Sequence, residues 1–281
     1  MRPRVPLYCC SSRSAQAQKL VEDVVFGVFT ALRLGKRKRP SREDKPYHER
    51  TKIGSYVLDD QTLMTLVHFL NAKLLKSVDY PVSTGKEAVL FRATAPDGSF
   101  LAVKVYKYET SAFHHMIDYI EGDPRFRGVK RKIRSLVQAW ARKEYANLIK
   151  ARRGRVRVPK AVAHRQNVVV MAFEGVDGVP YALLKDVVLS DAKRVYRLLV
   201  GNMTRLYKLG LVHGDLSEYN VLIDSAEKPI IIDVGQAVLF DHPRAKEFLK
   251  KDCTNIARYF AGLGVKTSFE DVYEKVTGVA V

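Results

Sequence analysis

Cysteine is scarce in this chain of 281 residues: Cys9, Cys10 and Cys253 are an odd, badly spaced set. They exclude a disulfide framework and offer no metal-ligand spacing, which predicts a reducing, cytoplasmic setting. Long apolar runs are also missing. The longest near the start, Val24 to Leu34, follows Glu22 and Asp23 and falls well short of the roughly 20 residues that cross a bilayer, so no membrane association is expected. Acids are scarce in two places. Residues 1–50 carry twelve Lys or Arg against five Asp or Glu, and residues 125–157 carry thirteen against the single acid Glu144. Together these segments account for the formal charge of +18 and leave the rest nearly neutral. Localised charge of this kind fits a polyanionic partner, nucleic acid first, with a solvated basic face as the plain alternative. A hydrophobic share of 47% beside 28% charged residues excludes disorder over the whole chain.

Periodicity divides what is present. Residues 1–54 hold four of the prolines and two charge clusters, and only residues 15–34 have spacing for a helix, so this part is expected to be a basic extension. Its first fourteen residues have the acid-poor, Arg- and Ser-containing composition of a transit peptide, whereas Lys36 to Arg42 favours a permanent flexible arm. Residues 55–80 predict a helix capped by Asp59 or Asp60, with Leu63, Leu66, Val67, Leu70 and Leu74 on one stripe. From Val82 the period becomes two. Val89 and Phe91, the turn Pro96-Asp97-Gly98, and Leu101, Val103 and Val105 make a β-hairpin with Lys104 on its second strand. Residues 107–133 read as irregular, 136–150 as a helix containing Glu144, and 167–173 as a strand. After the Gly175 to Gly178 break the chain reads as helical, with Ser190 capping a helix that turns Val195, Leu198, Leu199 and Leu206 inward. A short strand pair at 221–223 and 230–232 precedes terminal helices near Pro243 and Ser268. The expectation is an α+β chain of two lobes, 81–174 and 175–281, with a cleft between them.

Three segments carry chemistry. Ser83-Thr84-Gly85-Lys86-Glu87-Ala88 lies between strands, where backbone amides can approach phosphate oxygens, although a hairpin turn is the plain alternative and the Walker spacing is missing. In Leu211 to Asn220, Asp215 and Asn220 are five apart, and Asp233 follows thirteen later inside Ile231-Ile232-Asp233-Val234-Gly235-Gln236. This is the order of a protein-kinase catalytic loop and metal-binding aspartate. A phosphoryl group in transfer spreads negative charge over its oxygens, so hard oxygen ligands for Mg²⁺ and one carboxylate facing the nucleophile are what the chemistry needs. Lys104 then reads as a ligand of the α and β phosphates, held by Glu144, the one acid of its helix.

Over roughly residues 55–278 these motifs resemble the RIO family of atypical protein kinases, its type-one branch more than its type-two branch. The resemblance rests on the 83–88 loop, Lys104 in its strand, the long stretch from Tyr106 to Lys132, and the segments 213–220 and 231–237. It implies a minimal bilobal protein-kinase-like fold without an activation loop or peptide-docking helices, using ATP and Mg²⁺. Carried over by position, Ser83, Gly85, Lys86 and Lys104 contact the triphosphate and Glu144 orients Lys104. Met171 backs the adenine pocket, with the backbones of Ala172 and Glu174 on the adenine edge. Asp215 is the catalytic aspartate, and Asn220 and Asp233 hold Mg²⁺. It further implies a serine/threonine kinase with ATPase activity, an aspartyl-phosphate at Asp233, and a role in maturing the small ribosomal subunit, whose RNA would meet the basic segments. Gly214 stands where ordinary kinases have arginine, and Val234, followed by Gly235, where they have phenylalanine. A small-molecule phosphotransferase and a nucleotide-sensing RNA-binding assembly factor are the competing readings.

Overall fold

The computed structural model describes residues 58–108 and 116–280. The expected helix at 15–34, the basic arm at 36–42 and the rest of the extension lie outside the described residues.

Helix α1, Asp60–Asn71, starts where Asp59 accepts a hydrogen bond from the Thr62 amide, satisfying one of the first-turn donors. It packs on a five-stranded antiparallel sheet of order β1-β2-β3-β5-β4, comprising β1 Ser77–Thr84, β2 Ala88–Thr94, β3 Phe100–Tyr106, β4 Ala161–Arg165 and β5 Val168–Ala172. Alternation sorts the two faces. Val89, Phe91, Leu101, Val103, Val105, Val168 and Val170 join Leu66 and Phe69 of α1 in one buried cluster. The intervening Ala102, Tyr106, Val169 and Met171 join the main core on the other side. Lys104 belongs to this second set by parity, opposite Leu90 and Val169. A one-residue slip of β3 would move it from the cleft into the apolar cluster, so register and site are specified together.

Helix α2, Ile133–Arg153, runs across the cleft face of the sheet and is longer than its apolar pattern predicts at both ends. Its last turn holds Lys150, Arg152 and Arg153, which suit the negative end of the helix dipole. The second half contains α3 Ala192–Lys208, α4 Ala245–Gly262 and α5 Phe269–Thr277, around a core that includes Leu199, Met203, Leu211, Phe248, Ile256 and Phe260.

Three local expectations are corrected. Residues 175–183 are not helical: Gly175–Val176 pairs with Val179–Pro180, and Ala182–Leu183 joins the strand Val221–Ile223. The glycines at both corners allow that small hairpin, since a Cβ at Gly175 would fall 2.1 Å from the Val179 carbonyl oxygen. The cap of α3 is Asp191, which accepts from the Arg194 amide, while the Ser190 hydroxyl donates to Glu227. Leu198 is 38% exposed; the buried stripe runs through Val195, Leu199, Met203 and Leu206, and Leu198 lies one position off it.

Candidate active site

Lys104, Glu144 and Asp233 come from a strand, a helix and a loop, and they meet. The Lys104 ammonium donates to Glu144 Oε1 and to Asp233 Oδ1, each at 2.8 Å. Tyr106, two residues on along the same strand face, donates its hydroxyl to the second Glu144 oxygen. Burial works against the Lys104 charge, but the carboxylates of Asp233 and Glu144 outweigh it and hold its pKa well above the usual lysine value. Burial likewise disfavours ionised Asp233, yet the Lys104 ammonium pulls its carboxyl below the usual range. The Asp233 side chain is 45% exposed against 2% for Glu144. Glu144 is the anchored end of the trio and Asp233 the end that faces the opening.

The loop of Asp215 and Asn220 is held from several sides. Asn220 donates its side-chain amide to the Asp215 carbonyl at 2.7 Å, which leaves its Oδ1 as the end available to a ligand. His213 donates from Nε2 to the Ile232 carbonyl at 3.0 Å and accepts the Asp215 amide on Nδ1, tying this loop to the one that carries Asp233. Asp252 of α4, buried, accepts the amides of Gly214 at 2.9 Å and Leu216 at 2.7 Å, the two residues flanking Asp215. Burial raises the Asp252 carboxyl to about 6 despite those donors. Behind Asp233, Asn147 of α2 donates to the Val234 and Ala237 carbonyls. Arg125 grips Asn147, Ala237 and Asp123.

Backbone geometry explains two glycines of the site, Gly214 and Gly235. Gly214 has φ 85°, and a Cβ there would approach Tyr119 and the Gln236 carbonyl to 3.2 Å. No L side chain sits easily in that conformation. A Cβ on Gly235 would lie 2.9 Å from the Tyr106 hydroxyl and 3.0 Å from Trp140 Nε1, so no side chain fits behind Asp233. Asp233 itself has φ 57°, a left-handed conformation that Asp tolerates better than most residues.

The remaining expected residues lie around this centre. Ser83, Gly85 and Lys86 are exposed, and the Gly85 amide closes the turn onto the Ala88 carbonyl at 2.9 Å. Met171 is buried and faces Ala102 across the sheet. The Ala172 amide is spent on the Lys160 carbonyl and the Glu174 carbonyl on the Tyr181 amide. Glu174 lines a cavity of about 300 Å³ together with Arg152, Arg155 and Arg157. Glu87 lies in the 83–88 motif but is not among the expected site residues. Its carboxyl is pushed up to about 7 by burial and by the charge of Asp233, which places it beside the acidic cluster. Asp252, Asn147 and Tyr106 also escape sequence reasoning. Their partners are backbone groups or buried acids far away along the chain, a relation that spacing does not encode. Among the described residues no helix is long and apolar enough to cross a membrane. The basic segment 125–157 divides: Arg127, Lys130, Arg131, Lys132 and Arg134 are exposed, whereas Lys143 is buried.

A five-stranded lobe whose strand lysine pairs with a helix glutamate, over a helical lobe that presents the Asp, Asn and Asp loops, defines a protein-kinase-type phosphotransferase. Residues 89–272 match the RIO domain. The chain belongs to the RIO family of atypical serine/threonine protein kinases, on its type-one branch. It is 42% identical over 227 residues to the RIO-type serine/threonine-protein kinase Rio1 of Haloferax volcanii, covering 81% of this chain and 78% of that one. It is 37% identical over 231 residues to the human serine/threonine-protein kinase RIO1, covering 80% of this chain and 40% of the human protein. Among solved structures it resembles the Rio2 kinase–ADP/Mg²⁺–phosphoaspartate complex of Chaetomium thermophilum, with a TM-score of 0.59 at 20% identity over 94% of this chain and 87% of that one. At that identity the likeness concerns the fold alone.

Proposed function

We propose that this chain is a cytoplasmic, ATP- and Mg²⁺-dependent serine/threonine kinase and ATPase that acts on maturing small ribosomal particles. The observation that carries the catalytic part is the convergence of Lys104 with Glu144 and with Asp233, 129 residues further along. In this reading Lys104 binds the α and β phosphates, held by Glu144, and Ser83, Gly85 and Lys86 cover the triphosphate. Met171 backs the adenine, whose edge meets the Ala172 carbonyl and the Glu174 amide, the groups of those two residues not already committed among the described residues.

The Asn220 amide oxygen and the outward Asp233 carboxylate would hold Mg²⁺. Two hard oxygen donors are few for a closed cage, but they suit Mg²⁺, which keeps waters and takes phosphate oxygens as further ligands. Bound there, the metal neutralises the phosphate charge. Asp215 positions the incoming nucleophile and accepts its proton. For the aspartyl-phosphate route, an Asp233 oxygen attacks the γ-phosphorus, the bond to the bridging oxygen breaks and ADP leaves. Water then hydrolyses the acyl phosphate. The exposed cations of 125–134, with those of 1–50, would meet ribosomal RNA phosphates.

Asp233→Ala is expected to abolish Mg²⁺-dependent ATP turnover. Unchanged turnover would remove the metal assignment. Turnover with ATP alone, with a serine-rich protein, with small alcohols and with small ribosomal particles separates hydrolase, kinase, small-molecule and assembly roles.

A further inference from the structure

Helix α4 touches the 213–220 loop with Lys251, Asp252 and Asn255, the last donating to the Leu216 carbonyl at 3.1 Å. Asp252 accepts the amides on either side of Asp215, and Lys251 donates to the Asp215 carboxylate itself, Nζ to Oδ1 at 2.9 Å. Asp252 is buried and fixes the backbone. The Lys251 and Asp215 side chains are 51% and 38% exposed, and an ion pair that open to water contributes little to stability, about 0 to 1 kcal/mol. The contact therefore does little for the fold. Its effect is on the charge at the mouth of the site.

That charge is unbalanced. Asp215, Asp233, Glu87 and Glu144 all act on this region. The Lys104 ammonium is already shared between two carboxylates. Between Asp215 and Asn220 the chain offers Leu216, Ser217, Glu218 and Tyr219, none of them cationic. A γ-phosphoryl group placed before Asp215 would bring further negative oxygens to a carboxylate whose one ion-pair partner among the described residues is Lys251. An ammonium has three donors, and Lys251 spends one of them on Asp215.

We propose that Lys251 is a catalytic lysine of this site, bridging the Asp215 carboxylate to the γ-phosphate oxygens of ATP and following their charge through transfer. The inference rests on the functional reading above and adds a residue from outside its motifs. Because Lys251 acts at the γ end alone, it distinguishes ATP from ADP, which a merely structural residue does not.

The test is calorimetric binding of Mg²⁺-ADP and of the Mg²⁺ complex of the β,γ-imido analogue of ATP, with turnover and Tm, for the full chain and for Lys251→Met and Lys251→Arg. Lys251→Met is expected to weaken the triphosphate analogue by about tenfold while leaving ADP within about twofold. It should lower turnover by about 100-fold at an unchanged Tm, and Lys251→Arg should recover most of both. Equal weakening of the two nucleotides, or unchanged binding and turnover, overturns the proposal. If the unaltered chain binds neither nucleotide, the functional reading fails with it. If it binds both, needs Asp233, and ignores Lys251, only this proposal falls.

Discussion

Lys143 and Glu144 are neighbours on α2 and both are buried, yet the two faces of the helix treat charge in opposite ways. On the cleft face, Glu144 has the Lys104 ammonium at 2.8 Å and the Tyr106 hydroxyl on its other oxygen. On the rear face, the Lys143 ammonium makes no hydrogen bond among the described residues. Its nearest carboxylate oxygen is Asp123 Oδ2 at 3.9 Å, and Trp140 lies 4.3 Å away. Asp123 is already occupied by Arg125. Burial, with repulsion from Arg125, lowers the Lys143 pKa to about 7, whereas the partners of Lys104 drive its pKa upward. The same residue type under similar burial keeps its proton where carboxylates converge and tends to lose it where they are committed elsewhere.

The largest effect is expected from removing the paired cation. Lys104→Met leaves Glu144 buried with only the Tyr106 hydroxyl, and the loss of a buried partner typically costs about 3 kcal/mol or more. Turnover should fall by about 100-fold or more, because a phosphate ligand goes with it. The double variant Lys104→Met/Glu144→Gln sharpens the point. Urea midpoints should show most of the stability restored, since the uncompensated charge is gone, while turnover stays abolished. Recovery of turnover in the double variant would show that Glu144, and not phosphate binding, explains the lysine.

The apolar framework of this contrast is legible in the sequence. Alternation through Leu101, Val103 and Val105 puts Lys104 on the face opposite the α1 cluster, and the spacing of Asp215, Asn220 and Asp233 marks two loops of one site. Both signals are local, a period or a short interval. Glu144 can be picked out because it is the only acid in a basic run. Asp252 cannot, since an acid in Lys250-Lys251-Asp252 of an amphipathic helix looks like an exposed charge, and its partners are amides 36 and 38 residues away. Lys143 blends into the basic surface for the same reason. Charge is written in the sequence, but the direction of a side chain around a helix depends on what packs against it. The hairpin at 175–180 escapes notice because its strands are two residues long, too short to establish a period.

Lys143→Met addresses the rear face. A lysine with its folded pKa lowered to about 7 leaves the folded chain binding fewer protons than the unfolded chain from about pH 7 up to its ordinary value. Stability contributed by this group therefore rises with pH through that window, and the full cost of the buried ammonium is present below about 7. Replacement by methionine fills similar volume without the charge. It is expected to raise stability by about 1 to 3 kcal/mol near pH 6.5 and by less near pH 9, with the missing cation–π attraction to Trp140 as an offset. Thermal melts at the two pH values check this. An equal gain at both would show that packing, and not the proton, is responsible.

The smallest effect on folding belongs to a third environment, just before α2, where Lys130, Arg131 and Lys132 are exposed. Charges there are neither buried nor, among the described residues, held in ion pairs, so Lys130→Glu/Arg131→Glu/Lys132→Glu should move the urea midpoint by an amount equivalent to less than about 0.5 kcal/mol. The same change should be plain in RNA binding. If these cations meet ribosomal RNA, the dependence of log affinity on log salt flattens by roughly 0.7 to 0.9 for each phosphate that is no longer neutralised. An unchanged slope would make this stretch a solvated face. A large drop in stability would mean that its charges are engaged in the fold as those of the cleft are, and the contrast between buried and surface cations within 125–157 would fail.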